Sequence, residues 1–322
     1  MISSYAAPPD GTLTWWGVAS VELAFGGRRL VVDPYLLPDE PRVDFVCITH
    51  NDGDHCHEPT LSRLDGDRLR LVVVPPSCLH TSTLDSPIHS TSHDLRILDP
   101  AKLRVLRPKL RRHPWESFDG PTELSLDGFE ITTIDSSERP FRWRPADGTP
   151  WPAGTGPFVG PSEFPSLGYV ITETASGLTF YHPGDLHETY DVHRELRGRI
   201  DYMLFPGVKL EGVEMTILDA IRPRFLVPIH HRIDTPDFPI PLDLPEDLVL
   251  ETTDTRKGAI VPGADPDVYR DEVRMVQAAH WYPTPLPPLE RLTGLAPEIE
   301  HAFGTRLLVL DAGVPHTPEA TT

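Results

Sequence analysis

The segment Cys47–Glu58, CITHNDGDHCHE, places three histidines (His50, His55, His57) and three acids (Asp52, Asp54, Glu58) within twelve residues. Surface loops carry charge but seldom gather imidazoles this densely. The chemistry that rewards such a cluster is metal binding, in which neutral imidazole nitrogens and carboxylate oxygens share a cation. Further ligand-type residues close apolar runs elsewhere: Glu138 in SSERP, Asp185 in FYHPGD, and His230 in RFLVPIHH with His231 beside it. Apolar strands whose C-terminal ends all carry His, Asp or Glu can converge on one site at a sheet edge.

The elements that must position these groups are legible as strands. In SVELAFGGRRLVVDP, Val21, Leu23 and Phe25 alternate with small or polar residues, and Gly26-Gly27 turns the chain into a return strand ending at Asp33-Pro34. RVDFVCIT is almost continuously apolar, as in a strand buried on both faces, and it stops at His50. EPTLSRL is a short helix candidate and RLRLVVVPP the next strand. A hairpin turning at Asp127-Gly128 covers Thr122–Asp135, and SLGYVITETASGLTFYHPGD forms another. DLHETYDVHREL reads as helical, DYMLFPG as a strand, EMTILDAI as a helix stopped by Pro223, and RFLVP as a strand. Residues 139–165 form a long Pro- and Gly-rich stretch in which Trp143, Trp151 and Phe158 could wall an apolar substrate pocket. Two domains are expected: 1–233, which carries the candidate ligands, and a proline-dense 234–322 cap or arm packed on it.

Four pieces of this chain, WWGVASVELAFGGRRLVVDP, THNDGDH, FYHPGDLHE and RFLVPIHH, occur in the order and at the spacing found in the metallo-β-lactamase fold superfamily. Together they resemble its lactonase and phosphodiesterase branch over roughly residues 12–233. The resemblance implies an α/β fold, an αββα sandwich of two mixed sheets with helices outside and a metal site at one edge between them. It also implies ligand roles for His50, Asp54, His55, Asp185 and His230, with Asp185 between two metals. Asp33 matches an acid that steadies the ligand loop by hydrogen bonding, and His231 is a neighbour that supports or replaces His230.

The chain departs from the family pattern at two places. The family's loop motif is His-x-His-x-Asp-His; here it reads His50-Asn51-Asp52-Gly53-Asp54-His55, so Asp52 stands where the second His is expected. No His follows the middle hairpin, and Glu138 is the nearest ligand-type residue. By analogy one metal takes His50, Asp52 and Glu138, and the other takes Asp54, His55 and His230. Four carboxylates, Asp52, Asp54, Glu138 and Asp185, would neutralise two divalent cations and weaken their pull on the proton of a bound water. Oxygen donors and added negative charge favour a harder ion, iron before manganese or zinc. Flavodiiron proteins carry an acid where Asp52 sits, and di-iron oxygenases of natural-product pathways resemble this chain in having Glu where Glu138 sits.

The leading expectation is therefore a non-heme di-iron, O2-dependent monooxygenase that hydroxylates an apolar small molecule, in secondary metabolism, with O2 as co-substrate and an electron donor as partner. The alternative is a metal-dependent hydrolase of an ester, lactone or phosphodiester; a degenerate, non-catalytic binding protein is the third reading. Besides Asp185, His182 and His187 flank the motifs as candidate acid–base groups. Each residue has an ordinary reading too: strand-end or core histidines, turn acids, a Glu138–Arg139 surface pair, aromatics that pin a loop.

The 322 residues carry a formal charge of −19, which excludes a nucleic-acid partner, whose phosphates demand a basic face. Against that background the run Arg104, Arg107, Lys109, Arg111, Arg112 could grip an anionic, CoA-like handle on the substrate, although a solvated face is the default. Three cysteines without framework spacing, no signal-like N-terminus and no apolar run of spanning length lead to the expectation of a cytoplasmic protein with no membrane partner. Neither a nucleotide fingerprint nor a GxSxG elbow is present.

Overall fold

The computed structural model describes residues 7–17, 19–35, 37, 42–50, 55–56, 58–64, 66–75, 78, 98–109, 120–136, 166–186, 189–206, 214–229 and 287–319. Two mixed sheets stack face to face. The first is built from β1 (Thr12–Gly17), β2 (Ser20–Phe25), β3 (Arg28–Val32), β4 (Phe45–Cys47), β5 (Leu71–Val74) and β6 (Leu103–Val105), in that spatial order. β1, β2 and β3 pair antiparallel, and β3 to β6 run parallel. The second sheet holds β7 (Glu123–Leu126), β8 (Phe129–Asp135), β9 (Leu167–Glu173), β10 (Thr179–His182), β11 (Tyr202–Pro206), β12 (Phe225–Ile229) and β13 (Arg306–Leu307). Its order is β13-β12-β11-β10-β9-β8-β7: antiparallel from β7 to β10, parallel from β10 to β13.

The period-2 pattern decides which side chains meet between the sheets. Leu13, Trp15, Val21, Leu23, Leu30 and Val32 of the first sheet interlock with Phe129, Ile131, Tyr169, Ile171, Phe180 and Leu204 of the second. The outer face of the first sheet packs Val31, Val46 and Val72 against Leu61 and Leu64 of α1 (Glu58–Leu64). The outer face of the second packs Tyr181, Met203, Phe205 and Leu226 against α2 (Glu214–Ile221) and α3 (Pro287–Phe303). The architecture is the expected αββα sandwich. The helices lie outside because only one face of each sheet can be covered by the other sheet.

Both long edges of the sandwich are stitched by backbone hydrogen bonds. At one, Leu13 and His316 exchange N–H···O bonds of 2.8 Å in each direction, which ties β1 to the chain beyond β13. At the other, Arg107 N donates to Pro121 O at 2.8 Å and Lys109 N to Thr133 O at 3.0 Å. These bonds occupy edge groups that would otherwise be open to pairing with another chain.

Three elements differ from the sequence reading. DVHREL forms a tighter 3-10 helix over Asp191–Leu196. In the proline-dense C-terminal segment, 287–303 is a helix in spite of Pro297, and β13 adds a strand to the second sheet. Leu292, Leu295, Ile299 and Phe303, three or four residues apart, face the α2 side of that sheet. Gly304, at φ +69, closes α3 with its N–H on Glu300 O. No described helix is long and apolar enough to cross a membrane.

His193 gives the fold a measurable acid sensitivity. It is fully buried, between the rings of Tyr181 and Tyr190, and Tyr190 N donates to its Nδ1 at 2.9 Å. Burial pushes its imidazole down to about 4. The unfolded chain takes up this proton near the ordinary value of about 6.5, so below that pH unfolding is increasingly favoured until the folded ring also protonates. Lowering the pH from 7 to 5 should cost about 2 kcal/mol through this one group. In urea unfolding at the two pH values, His193→Leu is expected to reduce the pH-dependent loss by that amount; an unchanged loss would remove His193 as its source.

Candidate metal centre

Three strand ends point the same way. β4 runs out through Ile48 and Thr49 to His50, and β10 ends at His182, three residues before Asp185. β12, parallel to β10 with β11 between them, ends at Ile229, immediately before His230. Parallel strands deliver their C-terminal ends to one edge, which is where open α/β sheets gather their chemistry.

His50, His55 and Asp185 meet there, each buried, and one ligand atom from each lies within 4.8 Å of the others. His55 Nε2 is 3.2 Å from Asp185 Oδ1, and His50 Nε2 is 3.9 Å from Asp185 Oδ2. The two imidazole rings stand 3.9 Å apart, centroid to centroid. Asp185 reaches this point from a turn made by Gly184, at φ +63, where any side chain would strike Thr49: a Cβ would lie 3.0 Å from the Thr49 Cβ.

Behind the trio stands Asp33, fully buried, at the end of β3 with φ +47. Its Oδ1 accepts from Thr49 N at 2.7 Å, and its Oδ2 accepts from Thr49 Oγ1 and from His55 Nδ1, each at 2.7 Å. Burial by itself would push the Asp33 carboxyl up. The adjoining imidazoles of His55, His182 and His50, with the hydrogen bond from His55, outweigh it and hold the group below its ordinary value. With Asp33 accepting, His55 carries a proton on Nδ1, which leaves Nε2, on the Asp185 side, as the nitrogen that could bind a cation. A neutral imidazole nitrogen and a carboxylate oxygen 3.2 Å apart repel, and a cation between them turns that repulsion into shared ligation. This donor set fits a metal ion, with His50, His55 and Asp185 as described ligands and Asp33 orienting one of them.

His182 is also fully buried, but its ring spans two backbone segments. Nε2 is 2.8 Å from Ala19 O, and Nδ1 accepts from Gly184 N at 3.2 Å. The structure gives it the role of holding the Gly184 turn against the loop between β1 and β2. Asp52, Asp54, Glu138, His187, His230, His231, Trp143, Trp151 and Phe158 lie outside the described residues. Ser136, two residues before Glu138, is buried at the end of β8, its hydroxyl donating to Pro183 O beside the Asp185 turn. In the basic run, Lys109 Nζ is engaged by Glu123. Thr49, which touches Asp33 and both histidine rings, was not among the residues singled out from sequence; its only signal there is a hydroxyl directly before His50.

Residues 12–230 match the family profile of the beta-lactamase superfamily domain. The chain belongs to the metallo-β-lactamase superfamily. Among solved structures with this fold is CmlA, a diiron β-hydroxylase from Streptomyces venezuelae, at 16% identity and TM-score 0.51, over 96% of this chain and 54% of that one. The chain thus spans about half the length of that hydroxylase. Igni18, a metallo hydrolase from the archaeon Ignicoccus hospitalis KIN4/I, is 14% identical at TM-score 0.48 over 95% of this chain and 97% of its own. An isothiocyanate hydrolase from Delia radicum gut bacteria is 15% identical at TM-score 0.48, over 95% and 98% respectively. Identities this low speak to the fold alone. No curated protein matches the sequence.

Proposed function

We propose that the protein is a dinuclear, iron-dependent monooxygenase that hydroxylates an apolar small molecule. The observation that carries this reading is the exchange of imidazole for carboxylate in the ligand set: Asp52 in the loop motif, and Glu138 as the ligand-type residue after the middle hairpin. With Asp54 and Asp185 these supply four carboxylates, a donor set whose charge and hardness favour the oxidised state of iron. The likeness in fold to a diiron β-hydroxylase at TM-score 0.51 supports the same direction.

When bound, such a centre supplies the electrons with which dioxygen is activated, and an external donor restores them. The chain's own residues do the rest. His50, His55 and Asp185 hold one side of the centre from rigid strand ends, and Asp33 and His182 keep them in place from behind. In this reading Asp52, Asp54, Glu138 and His230 complete the ligands, and His231 backs His230. His187 moves protons at the mouth, and Trp143, Trp151 and Phe158 hold an apolar substrate and exclude water.

A second reading, metal-dependent hydrolysis of an ester, lactone or phosphodiester, is favoured by the described trio taken alone, since two imidazoles and a carboxylate are an ordinary zinc donor set. Metal analysis separates the two. Protein purified without chelator is expected to carry two irons per chain and a near-ultraviolet charge-transfer band, and to consume O2 with a reductant. Two zincs would establish the hydrolase reading instead, and absence of metal a binding protein. Glu138→Ala should lower iron content and O2-dependent turnover together, each by about 10-fold or more. If both are retained, Glu138 is no ligand and the case for oxygenation is lost.

A further inference from the structure

We propose that Thr49 is a positioning residue of the metal centre: its hydroxyl fixes the tautomer of His50, so that one buried carboxylate, Asp33, orients both histidines, one directly and one through Thr49. This rests on the metal-centre reading and not on the assignment of oxygenation.

The argument begins with the count of protons. Thr49 Oγ1 carries one hydrogen and has three neighbours: Asp33 Oδ2 at 2.7 Å, His50 Nδ1 at 2.9 Å and His55 Nδ1 at 3.3 Å. Asp33 accepts at Oδ2 from the Thr49 hydroxyl at 2.7 Å. Its Oδ1 accepts from Thr49 N, and its Oδ2 also accepts from His55 Nδ1. The Thr49 hydrogen therefore points at Asp33 Oδ2, and the Oγ1 lone pairs face His50 Nδ1. Two lone pairs at 2.9 Å repel, so His50 must carry its proton on Nδ1 and donate it to Thr49. In the neutral ring, Nε2 is then the lone-pair nitrogen, on the Asp185 side and 3.9 Å from Oδ2. In water a histidine side chain prefers its proton on Nε2; the Asp33–Thr49 pair reverses that preference and leaves His50 ready to ligate without rearranging.

The geometry also explains why a threonine stands here. A β-branched side chain has few χ1 choices, and this one is wedged against the Gly184 turn, where a Cβ would lie 3.1 Å from Thr49 Oγ1 and 3.4 Å from its methyl. Hydroxyl and methyl both lie against the turn that carries Asp185, which leaves the side chain little room to change rotamer. Thr49 thus links the two halves of the centre, the β4 loop with its histidines and the β10 turn with its carboxylate.

The test uses the metal-free full chain, labelled with 15N at histidine, and reads the tautomer of His50 from two-bond ring correlations. The parent is expected to show a protonated Nδ1 and a bare Nε2. Thr49→Val, which keeps the shape and removes the hydroxyl, should shift His50 toward Nε2–H, and Thr49→Ser should restore the parent pattern. Titration with Zn(II) should show binding weakened about 10-fold to 100-fold in Thr49→Val and recovered to within a few-fold in Thr49→Ser. An Nε2–H tautomer in the parent overturns the proposal whether or not any variant folds. So does an unchanged tautomer and Zn(II) affinity in a folded Thr49→Val. A parent with the stated tautomer that binds no metal would instead defeat the metal-centre reading, while leaving the control of His50 by Thr49 supported.

Discussion

Asp185→Asn should empty the centre of metal while leaving the protein folded. The amide has nearly the shape of the carboxylate, so the buried turn that Gly184 makes against Thr49 is retained. What changes is the charge between His50 and His55, whose Nε2 atoms stand 3.9 and 3.2 Å from the two carboxylate oxygens. An amide nitrogen can donate to the His55 lone pair, which turns a cation site into a satisfied hydrogen-bonded contact. Loss of groups that merely support metal ligands costs 10-fold to 100-fold in affinity or activity, so loss of a ligand itself should cost about 100-fold or more. The metal-free variant should melt no lower than the metal-free parent, because relieving the repulsion among three electron-pair donors offsets whatever the amide loses. Metal content by elemental analysis and melting by calorimetry check both halves. A variant that keeps its metal would show that Asp185 is not a ligand.

Asp33→Ala is expected to act mainly on stability. One carboxylate accepts from Thr49 N, Thr49 Oγ1 and His55 Nδ1, all in a region without solvent access. Removing it strands three buried donors. Each stranded donor costs about 1–3 kcal/mol, not additively, and alanine at φ +47 adds strain. A total near 4 kcal/mol is a large share of the ~5–15 kcal/mol that holds a domain together. Urea unfolding of metal-free protein should show the midpoint fall with an unchanged slope. Asp33→Asn, which keeps one acceptor oxygen and tolerates a positive φ better, should recover about half. A loss below about 1 kcal/mol would mean that Asp33 does not anchor the loop.

How much of this was legible beforehand follows from the range over which each signal acts. Hairpins such as β1–β2–β3 and β7–β8 declare themselves locally, through alternation and through Gly26-Gly27 or Asp127-Gly128. The meeting of His50 with Asp185 was accessible only because the order of four motifs resembles a known fold; nothing local to either residue requires it. α3 was obscured by its composition. Pro287 and Pro288 suit the first turn of a helix, where N–H groups lack partners in any case, yet in the sequence they and Pro297 read as an irregular arm. Thr49 was passed over because a hydroxyl before a histidine is common, and its significance depends on Asp33, sixteen residues earlier, folding back beneath it.

The reciprocal bond between Leu13 and His316 bears on the order in which the molecule can assemble. During synthesis the first hairpin emerges long before its partner exists, and β12 waits with an open flank until Arg306 and Leu307 have been made. That edge of the sandwich therefore closes only after His316 has been made, and so non-local a pairing folds slowly and exposes strand edges on the way. Ribosome-stalled chains ending before residue 306 should remain protease-sensitive, and chains in which His316 has cleared the ribosome should become resistant.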